Sequence, residues 1–289
     1  MSSQTSITIR PATPADAPLC GQICFDAFHT ISTAHNFPPD LPAPDHAIGL
    51  MTLFFSTPGF FCVVAEDHGR VLGSNCLDER AIIHGIGPIT VDPATQNRGV
   101  GRLLMQSVLD RSTAQHAAGV RLVQAAFHSR SLSLYTTLGF DVREPLACMQ
   151  GRASTREIAG CTVRPATTGD LPACNALSVA IHGLDRSADL AASIAHGTAR
   201  VVERAGRITA YTSHLGFFGH ATAEATPDLC ALIAAADTLA GPGILVPTRN
   251  AALFRWCLAN GLRVTQPLTL MSLGLYNTPA GAFLPSILF

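Results

Sequence analysis

Residues 87–110 read GPITVDPATQNRGVGRLLMQSVLD, and the order of residue types along them decides how the chain is read. A β-branched stretch ends at Val91 and Asp92-Pro93 turns the chain. Gln96-Asn97-Arg98-Gly99-Val100-Gly101 then opens a helix with Val100, Leu103, Leu104 and Val108 on one face. Two glycines at the mouth of a helix let backbone N–H groups come close to a ligand. The unpaired first-turn amides and the helix dipole favour an anion there, pyrophosphate above all. Arg98 and Arg102 add charge-assisted donors. The segment lacks the third glycine and downstream acid of a dinucleotide fold, and the Lys-Ser/Thr of a nucleotide P-loop.

Outward from this loop, the periodicity predicts strand 6–12, helix 15–32, a Pro-rich loop 37–44 and helix 45–56. Strands follow at 60–66, 70–78 and 82–91, then helix 99–118, strand 120–127, helix 130–138 and strand 140–149. Alternating strands and helices imply an α/β layer structure, a mixed twisted sheet flanked by helices. The plan then repeats. Ile7–Cys20 (ITIRPATPADAPLC) and Cys161–Cys174 (CTVRPATTGDLPAC) lie 154 residues apart and share eight of fourteen positions. His128–Leu146 (HSRSLSLYTTLGFDVREPL) aligns with Asn250–Leu268 (NAALFRWCLANGLRVTQPL) 122 residues on, each a helix stopped by a glycine, Gly139 or Gly261. The second copy is therefore shorter in its middle by 32 residues. Two tandem domains are expected, 1–150 and 151–289, with the boundary near Gly151–Gly160.

Composition narrows the function classes. The chain is 47% hydrophobic and 13% charged with a net charge of −1, which suits a compact soluble protein and gives no basic field for nucleic acid. All nineteen basic side chains are Arg, read as a codon bias. Nine Cys form no CxxC pair, the pattern of reduced thiols in a cytoplasm. There is no apolar leader and no apolar run of membrane length, so no membrane association is expected. His29, His35 and His46 lack metal-ligand spacing, and no metal is expected.

The Gln-x-x-Gly-x-Gly run after a V-D-P turn resembles the pyrophosphate loop of GNAT (GCN5-related) N-acetyltransferases. Ile9-Arg10-Pro11-Ala12 and Leu134-Tyr135-Thr136-Thr137-Leu138-Gly139-Phe140 extend the resemblance over roughly residues 6–150. It implies two GNAT-like domains, the second degenerate, and an acyltransferase that moves an acetyl group from acetyl-CoA directly to an amine. It implies that the strand carrying Ile89 and Val91 pairs with the pantetheine amides. Gln96 opens the motif, and amides of Arg98, Gly99, Val100, Gly101 and Arg102 hold the pyrophosphate. His128 takes the place of a common family Asn that contacts the cofactor arm, with a helix-cap or surface His as the alternative. Tyr135 occupies the family position whose hydroxyl protonates the leaving thiolate, against the plain alternative of an aromatic in the core. The second copy has no Gly-x-Gly over Phe218–Asp228 and places Cys257 where Tyr135 stands.

The general base is open at this level. In relatives it often lies nine or eleven residues before the Gln, which here gives Gly87 and Gly85. Candidates are Asp78 and Glu79, His84 if a bulge re-aims it, and the C-terminal carboxylate of Phe289. A related tandem group of aminoglycoside-modifying acetyltransferases places its C-terminal carboxylate in the N-terminal active site. The competing expectation for the apolar tail AFLPSILF is that it completes the second half's core. The acceptor is read as a small-molecule amine and the protein as a monomer or homodimer. The alternatives are an acyl-CoA-binding regulatory or scaffold protein without turnover, and an acetyltransferase of protein N-termini or Lys.

Overall fold

The computed structural model describes residues 7–288. The chain divides into two compact units. The first takes in the chain up to Leu122, with His128–Gly139 and Leu273–Leu275; the second takes in Val123–Phe127, Phe140–Ser272 and the chain from Tyr276 on.

The first unit runs β1 (Ile7–Pro11), α1 (Ala17–Ala34), α2 (Pro44–Ser56), β2 (Phe60–Asp67), β3 (Arg70–Asp78), β4 (Ile83–Ile86), β5 (Thr90–Val91), α3 (Val100–Ala114), the start of β6 (Gly119–Ala125) and α4 (Ser129–Thr137). The order across its sheet is β1-β2-β3-β4-β6, antiparallel except for the parallel β4–β6 pair. Cys62–Ala65 and Val71–Leu77 are buried without interruption, the mark of strands covered on both faces. Successive side chains confirm it: Ser74 faces Cys20 of α1, and Asn75 Nδ2 donates to the Leu104 carbonyl of α3 at 3.4 Å.

Two elements differ from the sequence expectation. The strand expected over 82–91 is broken, because residues 87–89 leave the ladder between β4 and β5. Helix α3 ends at Ala114, not 118: His116 takes a left-handed φ of 55°, and its N–H and that of Ala117 close onto the carbonyls of Thr113 and Ser112. Gly119 then starts β6.

The second unit holds β7 (Asp141–Gln150), β8 (Thr162–Pro165), α5 (Leu171–His182), α6 (Ser187–Ala195), β9 (Arg200–Arg204), β10 (Arg207–Thr212), β11 (Ala221–Ala223), α7 (Thr226–Ala235), β12 (Ile244–Pro247), α8 (Ala251–Ala259), β13 (Arg263–Gly274) and β14 (Ala282–Leu284). From β8 to β13 its element order matches that of β1 to β7 with a shorter centre. One sheet is ordered β14-β11-β10-β9-β8, and β7 pairs on either side with β12 and β13. The compact units therefore do not follow the repeat: β7 closes the first copy in sequence but is paired with strands of the second. The apolar tail adds β14 to β11, and Ile287 N–H donates to the Phe217 carbonyl at 2.8 Å.

The repeat is visible atom by atom at the start of each copy. Arg10 gives Nε to Glu66 at 2.9 Å and its two terminal nitrogens to Asp16 at 2.9 and 2.7 Å. Asp16 Oδ2 also accepts the Thr13 N–H at 2.8 Å. Arg164 repeats this with Glu203 at 2.8 Å and Asp170 at 2.8 Å twice, and Asp170 Oδ2 accepts the Thr167 N–H at 2.7 Å. The arginine forks hold both aspartates well below the ordinary carboxylate value of 3.8, with the Thr13 and Thr167 bonds acting in the same direction. A depressed carboxylate stabilises the fold above its unfolded value and loses that contribution as the pH falls below it. Asp170→Ala removes an acceptor of charged donors and should cost on the order of 1–3 kcal/mol. Urea denaturation at pH 7 should register that loss, and the difference from the parent should shrink when both are unfolded near pH 3.

Candidate active site

The break between β4 and β5 creates the site. Ile83–Gly85 pair in parallel with Gly119–Arg121, and Leu77 and Asp78 pair with Ile86 and Gly85. Beyond the break, Thr90 and Val91 pair only with Ser74 and Gly73 of β3. One edge of β5 is thus left without a strand partner in the ladder, and Ile89 and Val91 stand half-buried along it. This close pairing needs Gly73, which the sequence reading did not single out: a Cβ there would sit 2.2 Å from the Thr90 carbonyl oxygen. A strand-interior glycine can signal such close approach.

After β5, Asp92 Oδ1 accepts the Ala94 N–H at 2.9 Å and shapes the turn, while Arg70 ties down the other oxygen at 2.8 Å. Asn97 and Gly99 both take left-handed backbone, φ 68° and 80°. Gly99 is the N-cap of α3 and brings no side chain to cap it; the first intrahelical bond is Leu103 N–H to the Gly99 carbonyl at 3.1 Å. The amides of Gly99, Val100, Gly101 and Arg102 therefore precede the helical ladder. Gly99 has open space where a Cβ would stand, and Gly101 lies in ordinary contact range of Leu134 and Val91.

The arginines are placed differently from one another. Arg98 forms an ion pair with Asp67 at 2.7 Å, so what it offers the loop is its backbone. Arg102 donates to Thr137 Oγ1 at 3.0 Å. Arg130, which the sequence reading passed over, reaches back from α4 to Gln96 Oε1 at 3.2 Å and Asn97 Oδ1 at 2.8 Å, pinning the loop where its backbone is left-handed. Gln96 also donates to the Val91 carbonyl at 3.4 Å. Between α3 and α4 lies an open groove of about 420 Å³ lined by Arg102, Ser129, Arg130, Ser133, Leu134 and Thr137.

Tyr135 is the one buried residue of α4, 7% exposed, and burial pushes its phenol above the ordinary value. It stays protonated across the neutral range, as a proton donor must. His128 heads the same helix, half-buried, and burial, Arg130 and His35 together push its imidazole below the ordinary value.

The acids expected near the base position are engaged elsewhere. Glu79 takes both prongs of Arg111 at 2.7 and 2.8 Å, which lowers its proton affinity and disfavours it as a base. Asp78 is held by Arg80 two residues on. His84 is buried with Nδ1 3.1 Å from Ser112 Oγ of α3, so no bulge re-aims it. Phe289 lies outside the described residues.

The second unit has no equivalent loop. Its helix α7 begins beyond Ala225, with Pro227 in the first turn and Asp228 fully buried next to it. Asp228 accepts from Thr209 Oγ1 at 2.9 Å and from Arg204 at 3.1 Å. Asp228 thus sets a buried acidic side chain in the first turn of α7, where the helix dipole favours it. His220 is likewise enclosed, between Ser213, Tyr211 and Asp189. Burial pushes the Cys257 thiol up to about 12, which rules it out as a ready nucleophile. Iodoacetamide applied to the folded protein at pH 8 should therefore leave Cys257 unmodified, as peptide mapping would show.

Among the described residues no group of three or more His, Cys, Asp or Glu side chains is arranged to hold a metal, and no helix is long and apolar enough to cross a membrane. Residues 58–142 match the family model for the acetyltransferase (GNAT) domain. A provisionally assigned acetyltransferase from Pyrococcus horikoshii shares the fold over 98% of this chain and 95% of its own, with a TM-score of 0.72 at 19% identity. The PaiA N-acetyltransferase from Thermoplasma acidophilum, solved with coenzyme A, matches 48% of this chain and 92% of its own (TM-score 0.40, 14% identity). A GCN5-related N-acetyltransferase from Kribbella flavida matches 49% and 86% (TM-score 0.41, 24% identity). No curated protein matches the sequence significantly. Acetyl-CoA is the acyl donor of the matched family, and residues 58–142 of the chain form a domain that fits its model.

Proposed function

We propose that the first unit transfers the acetyl group of acetyl-CoA to the amine of a small-molecule acceptor. One observation carries the reading: α3 begins on a left-handed glycine with no capping side chain, directly after a strand with an unpaired edge. Pyrophosphate is held by the amides of Gly99 to Arg102, where the helix dipole adds to their hydrogen bonds. The pantetheine arm runs along β5 and completes the ladder through the backbone of Ile89 and Val91. The groove with Arg102 and Arg130 takes the phosphate-bearing nucleotide end.

The amine attacks the thioester carbon, the carbon–sulfur bond breaks, and Tyr135 gives its proton to the departing thiolate. The buried ring supports this role, because a thiolate leaving into a water-poor setting is a strong base. The loop between α1 and α2 carries Pro38, Pro39 and Pro42, whose fixed φ values favour a set pocket for a small acceptor.

A thiol-release assay with acetyl-CoA and a panel of primary amines tests the reading. The parent should show amine-dependent release; release indifferent to every amine would leave a CoA-binding protein without transfer. Tyr135→Phe should lower turnover by about 10²–10⁴-fold with little change in acetyl-CoA affinity. Wild-type turnover in that variant would make Tyr135 a core residue only. Gly73→Ala should raise the KM for acetyl-CoA, since the added Cβ drives β5 off β3.

A further inference from the structure

The two copies treat one equivalent position differently. Asn250 heads α8 and caps it: its Oδ1 accepts the Leu253 N–H at 3.1 Å and the amide is braced by Thr226. His128 heads α4 at the aligned position and makes no cap bond. Its backbone carbonyl accepts from the Ser131 N–H and Oγ, at 3.1 and 2.9 Å, but neither ring nitrogen is hydrogen-bonded among the described residues. The first copy thus has, in place of a capping side chain, an imidazole held half-buried and uncommitted.

That imidazole stands on the helix of Tyr135. The two are seven residues apart, which returns to the same face after two turns, roughly 10 Å along the axis. Meanwhile Gly85 and Gly87 bring no side chain, Glu79 and Asp78 are spent on Arg111 and Arg80, and His84 is enclosed at Ser112. We propose that His128 is the general base of the transfer, its imidazole taking the proton that the acceptor amine loses as its nitrogen bonds to the acetyl carbon. The inference rests on the acyl-transfer reading above.

The step balances with groups already named. The amine nitrogen supplies the electron pair of the new C–N bond, and the C–S pair leaves with sulfur. His128 gains the amine proton and Tyr135 loses its own to the thiolate. Proton return from imidazolium to phenolate through water restores both, giving amide and free CoA thiol. A base must be neutral at the start. Burial first, then the positive charge of Arg130 on its own helix, with His35 at the end of α1 acting in the same direction, disfavour the imidazolium. The N-terminal end of α4 acts in the same direction. His35 is fixed by its own Nδ1 contact with the Ile31 carbonyl at 2.9 Å.

The test is the pH dependence of thiol release with acetyl-CoA and the best of tyramine, spermidine and an alanyl peptide, beside His128→Asn, which restores the residue of the second copy. In the parent, kcat at saturating amine should rise with pH through an apparent value below 6.5 and then level off. His128→Asn should lose about 10²–10⁴-fold in kcat and lose that limb, with acetyl-CoA affinity within about twofold by calorimetry. Added imidazole should partly restore His128→Ala, a readout that a packing role would not move. Wild-type kcat with the limb intact in His128→Asn would overturn the inference alone. A loss of acetyl-CoA affinity matching the loss of turnover would also overturn it and make His128 a cofactor contact. No amine-dependent release by the parent would overturn the acyl-transfer reading itself, and this inference with it.

Discussion

A helix that begins on a bare glycine must leave its first amides to something outside itself. The rest of the first unit is built around that constraint at α3. Gly99 supplies no capping oxygen, Asn97 and Gly99 hold the backbone left-handed, and Arg130 braces the loop from α4. In the second unit the first turn of the matching helix carries a buried acid, Asp228, tied to Thr209 and Arg204. A buried carboxylate in the first turn of that helix disfavours an anion there.

The sheet serves the same end. Breaking the strand at residues 87–89 moves β5 off the β6 side and leaves an edge for an extended ligand to pair with. The contact that secures β5 to β3 is as close as a glycine permits. Surrounding charges are neutralised locally, Arg98 by Asp67, Glu79 by Arg111 and Asp78 by Arg80. On α4, Tyr135 has a raised proton affinity and His128 a lowered one. An acid and a base whose environments push them apart is the arrangement expected of a catalytic pair.

Much of this was legible in the residues. The Ile7–Cys20 repeat predicted the same strand-to-helix start twice, and the structure adds to both the same arginine–aspartate pair at nearly equal distances. Helix stops at Gly139 and Gly261 appear with φ of 95° and 94°. The glycine loop marked the start of α3 to within a residue. What the sequence concealed depends on partners distant along the chain. Glu79 looked available because Arg111 lies 32 residues on. The break in the strand follows from what β3 and β6 offer as neighbours, and period-two alternation cannot register it. The pairing of β7 with β12 and β13 is invisible to a repeat, which aligns copies without saying which strands exchange partners. The burial of Asp228 is set by Arg204 of β9 and Thr209 of β10, which local sequence cannot register.

The central claim is that one copy of the repeat binds the acyl donor and the other does not. Calorimetric titration of the parent with acetyl-CoA tests it most directly, run beside Gly99→Val, whose side chain would stand over the first amides of α3. The account requires one site per chain in the parent and none in the variant. Two sites per chain, or undiminished binding in Gly99→Val, would contradict it.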